Sequence, residues 1–596
     1  MAELLTGNAA IARGAYESGV TVAAGYPGTP STEILEGFAK YPGVYAEWAP
    51  NEKVALEVGI GASIAGARVL VTMKHVGVNV AADPLFTFVY TGVNGGLVLI
   101  SADDPGMHSS QNEQDNRNYG VAAKIPILEP SDSMEAKDMV GQALELSEMF
   151  DIPVMLRITT RVAHSQGFVD LGERQDHQLK KYEKNASKYV MLPGFGRMRR
   201  YSLEERLENF LARAEKSPLN RIELGNREIG VITSGVSYQY VREVLPEASI
   251  LKLGITYPFP GNLVKEFASQ VKRIIVVEEL EPYLEKQVKL LGIDVEGKKY
   301  FPAIGELDPG LLRKGFEKAG IINGPGDTGD TGDNAGDASE NNSTGEDVPA
   351  RPPVPCPGCP HRGAFYVLKK LKLVVAGDIG CYTLGALPPL EAMDSCICMG
   401  ASIGVALGME KANPELKNKI VAVIGDSTFI HSGITGIVNA VYNRSSITAI
   451  ILDNRTTAMT GHQDHPATGC TLMGEPAPQL DLEGLVRACG VKRVRVVDPL
   501  NIEEFTAAVK EETVADEPSV IIARRPCVLL EKATGTPVRV IEDVCTGCRS
   551  CTRLGCTAIS FKDKKASVNP VLCSGCGLCI QVCKPGALVQ GGDNNE

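Results

Sequence analysis

Cysteine is missing from the first 355 of the 596 residues, and tryptophan occurs once. No apolar run approaches the roughly 18 residues that a membrane-spanning helix requires. The opening stretch MAELLTGNAAIARGAYESGV has neither the basic region nor the continuous apolar region of a secretion signal. A basic excess is missing too: 60 Lys and Arg stand against 72 Asp and Glu, a net charge of −12. Seven of those acids fall between Gly326 and Val348 with no base among them; without them −12 becomes −5, so the remainder is nearly balanced. Together these absences predict a soluble, cytoplasmic chain that binds neither membrane nor nucleic acid. The length exceeds what one hydrophobic core serves and predicts several domains.

What is present lies late in the chain. All 16 cysteines follow Pro355, and half of them lie between Cys545 and Cys583. Small secreted domains use cysteine for disulfides; a large chain with its thiols at one end uses them for cofactor ligation in a reducing compartment. Cys545-x2-Cys548-x2-Cys551-x4-Cys556 is followed, at an offset of 28, by Cys573-x2-Cys576-x2-Cys579-x3-Cys583. Three thiolates at such spacing wrap three corners of an iron–sulfur cube, and the fourth ligand comes from the other half of the duplication. One [4Fe–4S] cluster is then expected on Cys545, Cys548, Cys551 and Cys583, and another on Cys573, Cys576, Cys579 and Cys556. Zinc favours two-plus-two spacing with longer gaps. The tail resembles a bacterial two-cluster ferredoxin. It departs from that pattern in the four residues before Cys556, and in Pro585, which follows Cys583 only after Lys584. Those departures leave the pairing of ligands less fixed than the presence of clusters.

The rest alternates helix and strand. NAAIARGAYESG, EKVALEVGIGASIAGA and EAKDMVGQALELSEMFD read as helices, and RVLVTMKH, GGLVLISADD and IPVMLRITT as near-continuous apolar strands. Such alternation argues a doubly wound parallel sheet. REIGVITSGVSYQYVREVLP, SILKLGITYPFP and RIIVVEEL repeat it in a smaller α/β unit. Gly324 to Pro355, rich in Gly, Asp, Thr, Asn and Pro, is expected to be a flexible linker. Beyond it KLVVAGDIG, KIVAVIGDSTF, ITAIILDN and PSVIIARR build another parallel sheet.

KIVAVIGDSTF carries Gly425, Asp426 and Ser427 at the end of one strand, and ITAIILDN ends on Asn454. The 27 intervening residues suffice for a crossover helix, so both polar groups emerge at the carboxyl ends of neighbouring parallel strands, where open sheets bind ligands. A carboxylate, an amide oxygen and a nearby backbone carbonyl suit a Mg²⁺ that clamps a diphosphate. A helix cap is the plainer use of Asp426. The spacing resembles the thiamine diphosphate signature, with Ser427 in place of its second glycine. Glu52 opens a helix in YAEWAPNEKVALEVGIGASIAGAR and is the candidate to hydrogen-bond the aminopyrimidine, with Glu47 and Glu57 as competitors.

GYPGTPSTEI, Glu52, DDPGMHSSQNEQDNR, CPGCPHR, GDIGCYTLG, GDSTF and the cysteine tail together resemble the alpha-subunit family of the indolepyruvate:ferredoxin oxidoreductases. That family is a branch of the thiamine diphosphate-dependent 2-oxoacid:ferredoxin oxidoreductases. The resemblance implies a multidomain α/β chain. A pyrimidine-binding domain would span 1–190, a transketolase C-terminal-like domain 226–320, and an acidic linker 321–353. A diphosphate-binding domain would span 354–534 and a two-[4Fe–4S] ferredoxin-like α+β domain 535–590. It implies oxidative decarboxylation of an aryl 2-oxoacid with coenzyme A, electrons passing to ferredoxin, and a smaller beta subunit in a higher-order heteromer. Glu52 matches the activating glutamate, Asp426 and Asn454 the Mg²⁺ ligands, and Thr456 a backbone-carbonyl ligand. Thr29 matches the contact to the substrate carboxylate, and Met459 the residue that buttresses the bent cofactor, although core packing is its commoner use. His431 and His462 follow the two ligand segments and are candidates for the pocket. A third [4Fe–4S] cluster is expected on Cys356, Cys359, Cys381 and Cys527, gathered at one sheet edge. Cys396, Cys398, Cys470 and Cys489 are substitutes or bystanders. Rival readings are a pyruvate, branched-chain or 2-oxoglutarate enzyme, a non-oxidative decarboxylase, and an electron-transfer subunit with no catalytic site.

Overall fold

The computed structural model describes residues 2–322, 353–530 and 535–591. Most of the expected linker, 321–353, lies outside the described residues. The chain divides into two compact units on either side of it. Among the described residues no helix is long and apolar enough to cross a membrane.

The first unit is built on a seven-stranded sheet in the order Ile255–Tyr257, Ile127–Leu128, Val154–Thr159, Leu97–Asp103, Val69–Lys74, Val22–Gly25, Tyr45–Trp48. Neighbours are parallel except the first pair. Val69–Lys74, Leu97–Asp103 and Val154–Thr159 are buried along their whole length, as strands covered on both faces by helices must be. The helices Gly7–Glu17, Glu52–Ile64 and Ser133–Phe150 supply that cover, each opened by a side chain that caps it: Thr6, Asn51 and Asp132.

A second sheet of four strands follows, ordered Arg273–Val277, Asn226–Ser234, Ala248–Leu253, Arg221–Glu223. SILKLGITYPFP, which reads as one strand, is divided between the two sheets: Ala248–Leu253 stays in the smaller one, and Ile255–Tyr257 pairs antiparallel with Ile127–Leu128. Buried charge lies nearby, and one pair, Arg117 with Glu278, links the first sheet's loops to the smaller sheet. Arg117 pairs with Asp115 at 2.6 Å and with Glu278 at 2.8 Å, and Arg157 with Asp103 at 2.7 Å and Glu129 at 2.8 Å. Each guanidinium is enclosed, so removing any one carboxylate leaves a buried charge short of a partner, a loss of about 3–5 kcal/mol. The unassigned stretch after residue 190 forms the helix Pro193–Ala214, whose Arg206 donates to the carbonyls of Val89 and Tyr90.

The second unit has a six-stranded parallel sheet in the order Ser395–Cys396, Val374–Gly377, Ile420–Gly425, Thr448–Asp453, Ser519–Arg524, Arg493–Val497. The cysteine tail that follows holds two small antiparallel ribbons, Val538–Val540 with Leu588–Gln590 and Ile559–Lys562 with Lys565–Val568. It is no separate appendage. Phe365, Val375 and Ile521 of the sheet layer share one core with Cys551, Leu554, Leu578 and Val582 of the tail.

Candidate active site

In the first unit Glu52 stands at the first position of its helix and is 5% exposed. What fixes it is Gly77: a Cβ there would lie 2.7 Å from both Cγ and Oε1 of Glu52. Gly77 belongs to the short helix His75–Val80 at the end of Val69–Lys74. DDPGMHSSQNEQDNR is the scaffold for that helix. The Asn116 amide donates to the His75 carbonyl at 3.1 Å and to Ser101 Oγ at 2.8 Å, His75 Nε2 meets the Asn112 carbonyl at 3.1 Å, and the Lys74 ammonium donates to the Ser109 carbonyl. Glu57, by contrast, pairs with Lys53 on an exposed face, and Glu47 accepts from the exposed Tyr45 hydroxyl.

Thr29 is half-buried in the turn after Val22–Gly25, where Ser31 closes back on the Gly28 carbonyl through its backbone N–H and hydroxyl. Gly28 allows a close approach: its missing Cβ would be 3.0 Å from Lys74 Cβ. Lys74 thus lies against the Thr29 turn on one side and three residues before Gly77 on the other. Burial pushes its pKa down to about 8, against the pull of the Asp104 and Glu52 carboxylates. Sequence reasoning missed Lys74, which sits inside a run that reads only as strand.

In the second unit Ile420–Gly425 and Thr448–Asp453 are adjacent and parallel, so Asp426 and Asn454 emerge side by side. Asp426 is 2% exposed; Oδ1 accepts from the Ser427 N–H at 2.8 Å and Oδ2 from the Arg455 N–H at 2.9 Å. One end of the Asn454 amide lies 3.1 Å from Asp426 Oδ1 and 2.9 Å from the Thr456 carbonyl oxygen. With the amide nitrogen in that place it donates to both. With the amide oxygen there, it faces Asp426 Oδ1 and the Thr456 carbonyl, and the three are hard oxygens of the kind that ligate Mg²⁺. Asp453, at the next position back, has its carboxyl pushed up by burial and then by the Asp426 charge. Arg524 and Arg455 pair with the Asp453 carboxylate at 2.7 and 3.3 Å and offset that repulsion. The donor set fits Mg²⁺. Gly425 is required here because a Cβ would meet the Tyr382 ring at 2.8 Å, and the Ser427 hydroxyl accepts from Thr457 at 2.9 Å.

The histidines are distributed differently from the sequence expectation. His465, not His462, stands at Asp426, with Nε2 3.3 Å from Oδ2. His462 has a left-handed backbone and places Nε2 3.8 Å from Cys527 Sγ. His431 is buried in a single wide turn, with Nδ1 2.6 Å from Ser432 Oγ. His361, in CPGCPHR, is buried beside Asp426, and desolvation pushes it down to about 4, so the ring stays neutral at physiological pH. Met459 is 47% exposed and is therefore no part of the core.

Twelve of the 16 cysteines fall into three groups. Cys545, Cys548, Cys551 and Cys583 line one cavity, and Cys556, Cys573, Cys576 and Cys579 another. Among the described residues no three His, Cys, Asp or Glu side chains converge as ligands of a single metal ion. Cys356, Cys359, Cys381 and Cys527 form the third group. Burial raises Cys359 to about 12 and Cys381 to about 11, and in both cases Cys356 and Cys527 act as further negative neighbours. Thiols so desolvated deprotonate when a positive centre binds them. The Cys527 N–H donates to the Asn454 carbonyl at 2.9 Å, which ties this group to the Asp426 site. Cys359 also borders the cavity of the second group. Arg362, 2% exposed, spans the junction: it donates to the Pro355 and Leu554 carbonyls, each at 2.6 Å. Cys396 stands apart, 3.5 Å from the Asp378 carbonyl.

Residues 13–201 match the thiamine diphosphate-binding region of pyruvate flavodoxin/ferredoxin oxidoreductases. Residues 378–523 match the C-terminal TPP-binding domain of thiamine pyrophosphate enzymes. The indolepyruvate oxidoreductase subunit IorA of Archaeoglobus fulgidus is 43% identical over 98% of this chain and 97% of its own length. That of Methanothermobacter thermautotrophicus is 41% identical over 98% and 96%. The chain belongs to the indolepyruvate oxidoreductase IorA family. The 2-oxoglutarate synthase subunit KorA of Archaeoglobus fulgidus is 26% identical over 51% of the chain and 95% of its own length. Membership makes the chain part of a thiamine diphosphate-dependent 2-oxoacid oxidoreductase. The two matched regions contain Thr29, Lys74 and Glu52 on one side and Asp426 and Asn454 on the other.

Proposed function

We propose that this chain is the catalytic alpha subunit of an indolepyruvate:ferredoxin oxidoreductase. The reaction is 2-oxoacid + CoA-SH → acyl-CoA + CO2 + H⁺ + 2 e⁻, with aryl 2-oxoacids as substrates. The observation that carries the reading is the grouping of twelve cysteines in three sets of four, one tied to the Asp426 site and one bordered by Cys359. A decarboxylase that releases an aldehyde has no use for such a relay.

Thiamine diphosphate supplies the electron sink for decarboxylation. Glu52 would hold a proton at the aminopyrimidine group, and Asp426, Asn454 and the Thr456 carbonyl would hold Mg²⁺. His465 stands at Asp426, and Gly425, Ser427, His431 and Met459 shape the surrounding loops. Thr29 and Lys74 receive the substrate carboxylate. The cysteine sets would hold three [4Fe–4S] clusters, the last two in a ferredoxin-like domain. Clusters held there would supply one-electron acceptors, and Cys359, which borders the cavity of the Cys556 set, would set the Cys356 set beside it.

The decisive measurement is ferredoxin-linked turnover on indolepyruvate, phenylpyruvate, pyruvate and 2-oxoglutarate, with and without the smaller beta subunit. Aryl substrates should be preferred, and the chain alone should bind thiamine diphosphate and Mg²⁺ yet turn over poorly. Full coenzyme A-dependent activity from the chain alone, or a preference for pyruvate, overturns the reading.

Lys74 gives a pH test. Its folded pKa is lowered from 10.5 to about 8. Between those values the unfolded chain binds the extra proton, so this group's contribution to stability rises with pH while its charge is lost. The half-saturating 2-oxoacid concentration should therefore climb above about pH 8. Lys74→Gln should raise it about tenfold or more at pH 7 and flatten that climb. An unchanged pH profile in the variant removes Lys74 from the carboxylate site.

A further inference from the structure

The charge of the tail runs against that of the chain. From Pro537 to Gln590 there are seven basic residues and three acidic ones, whereas the whole chain carries −12. Six of the bases are exposed, as are the acids Glu542, Asp543 and Asp563; apart from Arg539, the exposed bases are Arg549, Arg553, Lys562, Lys564 and Lys584. They cluster around one cysteine set. Arg549 follows Cys548 and lines its cavity, where it lies over the Phe561 ring at 4.4 Å. Arg553 is two residues past Cys551, and Lys584 is next to Cys583. Lys564 packs against the Cys545–Cys548 loop, its carbonyl 2.4 Å from where a Gly547 Cβ would stand. Lys562 opens the same ribbon turn.

The same set has the most exposed edge of the relay within the tail. Cys548 is exposed, while Cys556, Cys573 and Cys576 are half-buried and Cys579 buried. The Cys556 set is bordered on its other side by Gly358, Cys359 and Arg362, so it faces inward toward the third group.

We infer that the rim formed by Arg549, Arg553, Lys562, Lys564 and Lys584 around Cys548 is the docking face for an acidic one-electron carrier protein. The inference rests on the reading that Cys545, Cys548, Cys551 and Cys583 hold a cluster. A carrier must bring its own cluster close and leave again after each electron. Charge complementarity serves that need because it speeds encounter more than it prolongs residence. The carrier is the proposed occupant because its negative face matches the five bases.

The test uses the complete enzyme with its partner subunit and compares ferredoxin with methyl viologen, a small cationic acceptor. In Lys562→Glu/Lys564→Glu/Lys584→Glu the half-saturating ferredoxin concentration should rise about tenfold or more at low salt. The methyl viologen rate and the iron content should stay within twofold of wild type. Salt should weaken ferredoxin use by the wild type and spare the triple variant. Ferredoxin kinetics within twofold of wild type, with iron and viologen rate intact, overturn the docking face. So does a wild-type ferredoxin reaction that salt leaves unchanged, a measurement that needs no variant. A wild-type chain that lacks the Cys545 cluster by iron analysis overturns the underlying reading instead.

Discussion

Glu52→Gln is expected to lower 2-oxoacid oxidation at least about a hundredfold, the usual scale for a group that moves a proton in the rate-limiting chemistry. Iron, labile sulfide and bound thiamine diphosphate should stay near wild type, because glutamine keeps the shape and the hydrogen bond while losing the titrating oxygen. The structure adds a control at a distance. Gly77 meets Glu52 so closely that a methyl group at residue 77 must displace the carboxylate or the short helix that begins at His75. Gly77→Ala should therefore imitate Glu52→Gln in activity, although it leaves the carboxylate in the chain. Turnover of Glu52→Gln within a few-fold of wild type would reject the assignment, and Glu47 and Glu57, both on exposed faces, would then have to be reconsidered.

The second large effect is at Cys381. About twelve iron atoms per anaerobically purified chain correspond to three cubes, and about eight to the tail alone. Cys381→Ser should drop the count from the first value to the second and abolish ferredoxin-linked oxidation, with the spectrum of the tail clusters retained. What motivates this is that Cys356 and Cys527 act as negative neighbours of both Cys359 and Cys381, while burial raises the latter two thiols. A wild-type chain, fully loaded, that holds only the lower number excludes the third cluster.

Which parts of this were legible beforehand follows from what sets each part. The parallel sheets were, because strands buried on both faces carry unbroken apolar runs such as VLVTM and IVAVI. The neighbouring positions of Asp426 and Asn454 were, because one crossover helix between two strands leaves little freedom in where they end. The gathering of Cys545, Cys548 and Cys551 at one cavity and of Cys573, Cys576 and Cys579 at another was, because short fixed spacings confine thiols whatever surrounds them. Lys74, His361 and His465 were not. Their placement depends on loops that approach from elsewhere in the sequence, and a Lys at a strand end or a His after a proline carries no periodic signal. The division of SILKLGITYPFP between two sheets was hidden for the same reason: both halves are apolar, and only the partner strands tell them apart. The docking of the tail was hidden as well. Leu578 and Val582 look like ordinary filler for a small cluster domain, yet they pack with Phe365 and Val375.

That shared core bears on how the protein is made. The last strand of the second sheet ends at Arg524, and the apolar residues that complete its core run on to Leu588. At roughly 5–20 residues per second, the ribosome needs several seconds to supply them. During that interval Phe365 and Val375 await Leu578, Val582 and Leu588, and the Arg362 guanidinium awaits the carbonyl of Leu554. The first unit has its own core and closes early. The second is a late folder by construction, its nascent apolar surface exposed to chaperones and to aggregation until the cysteine tail has emerged.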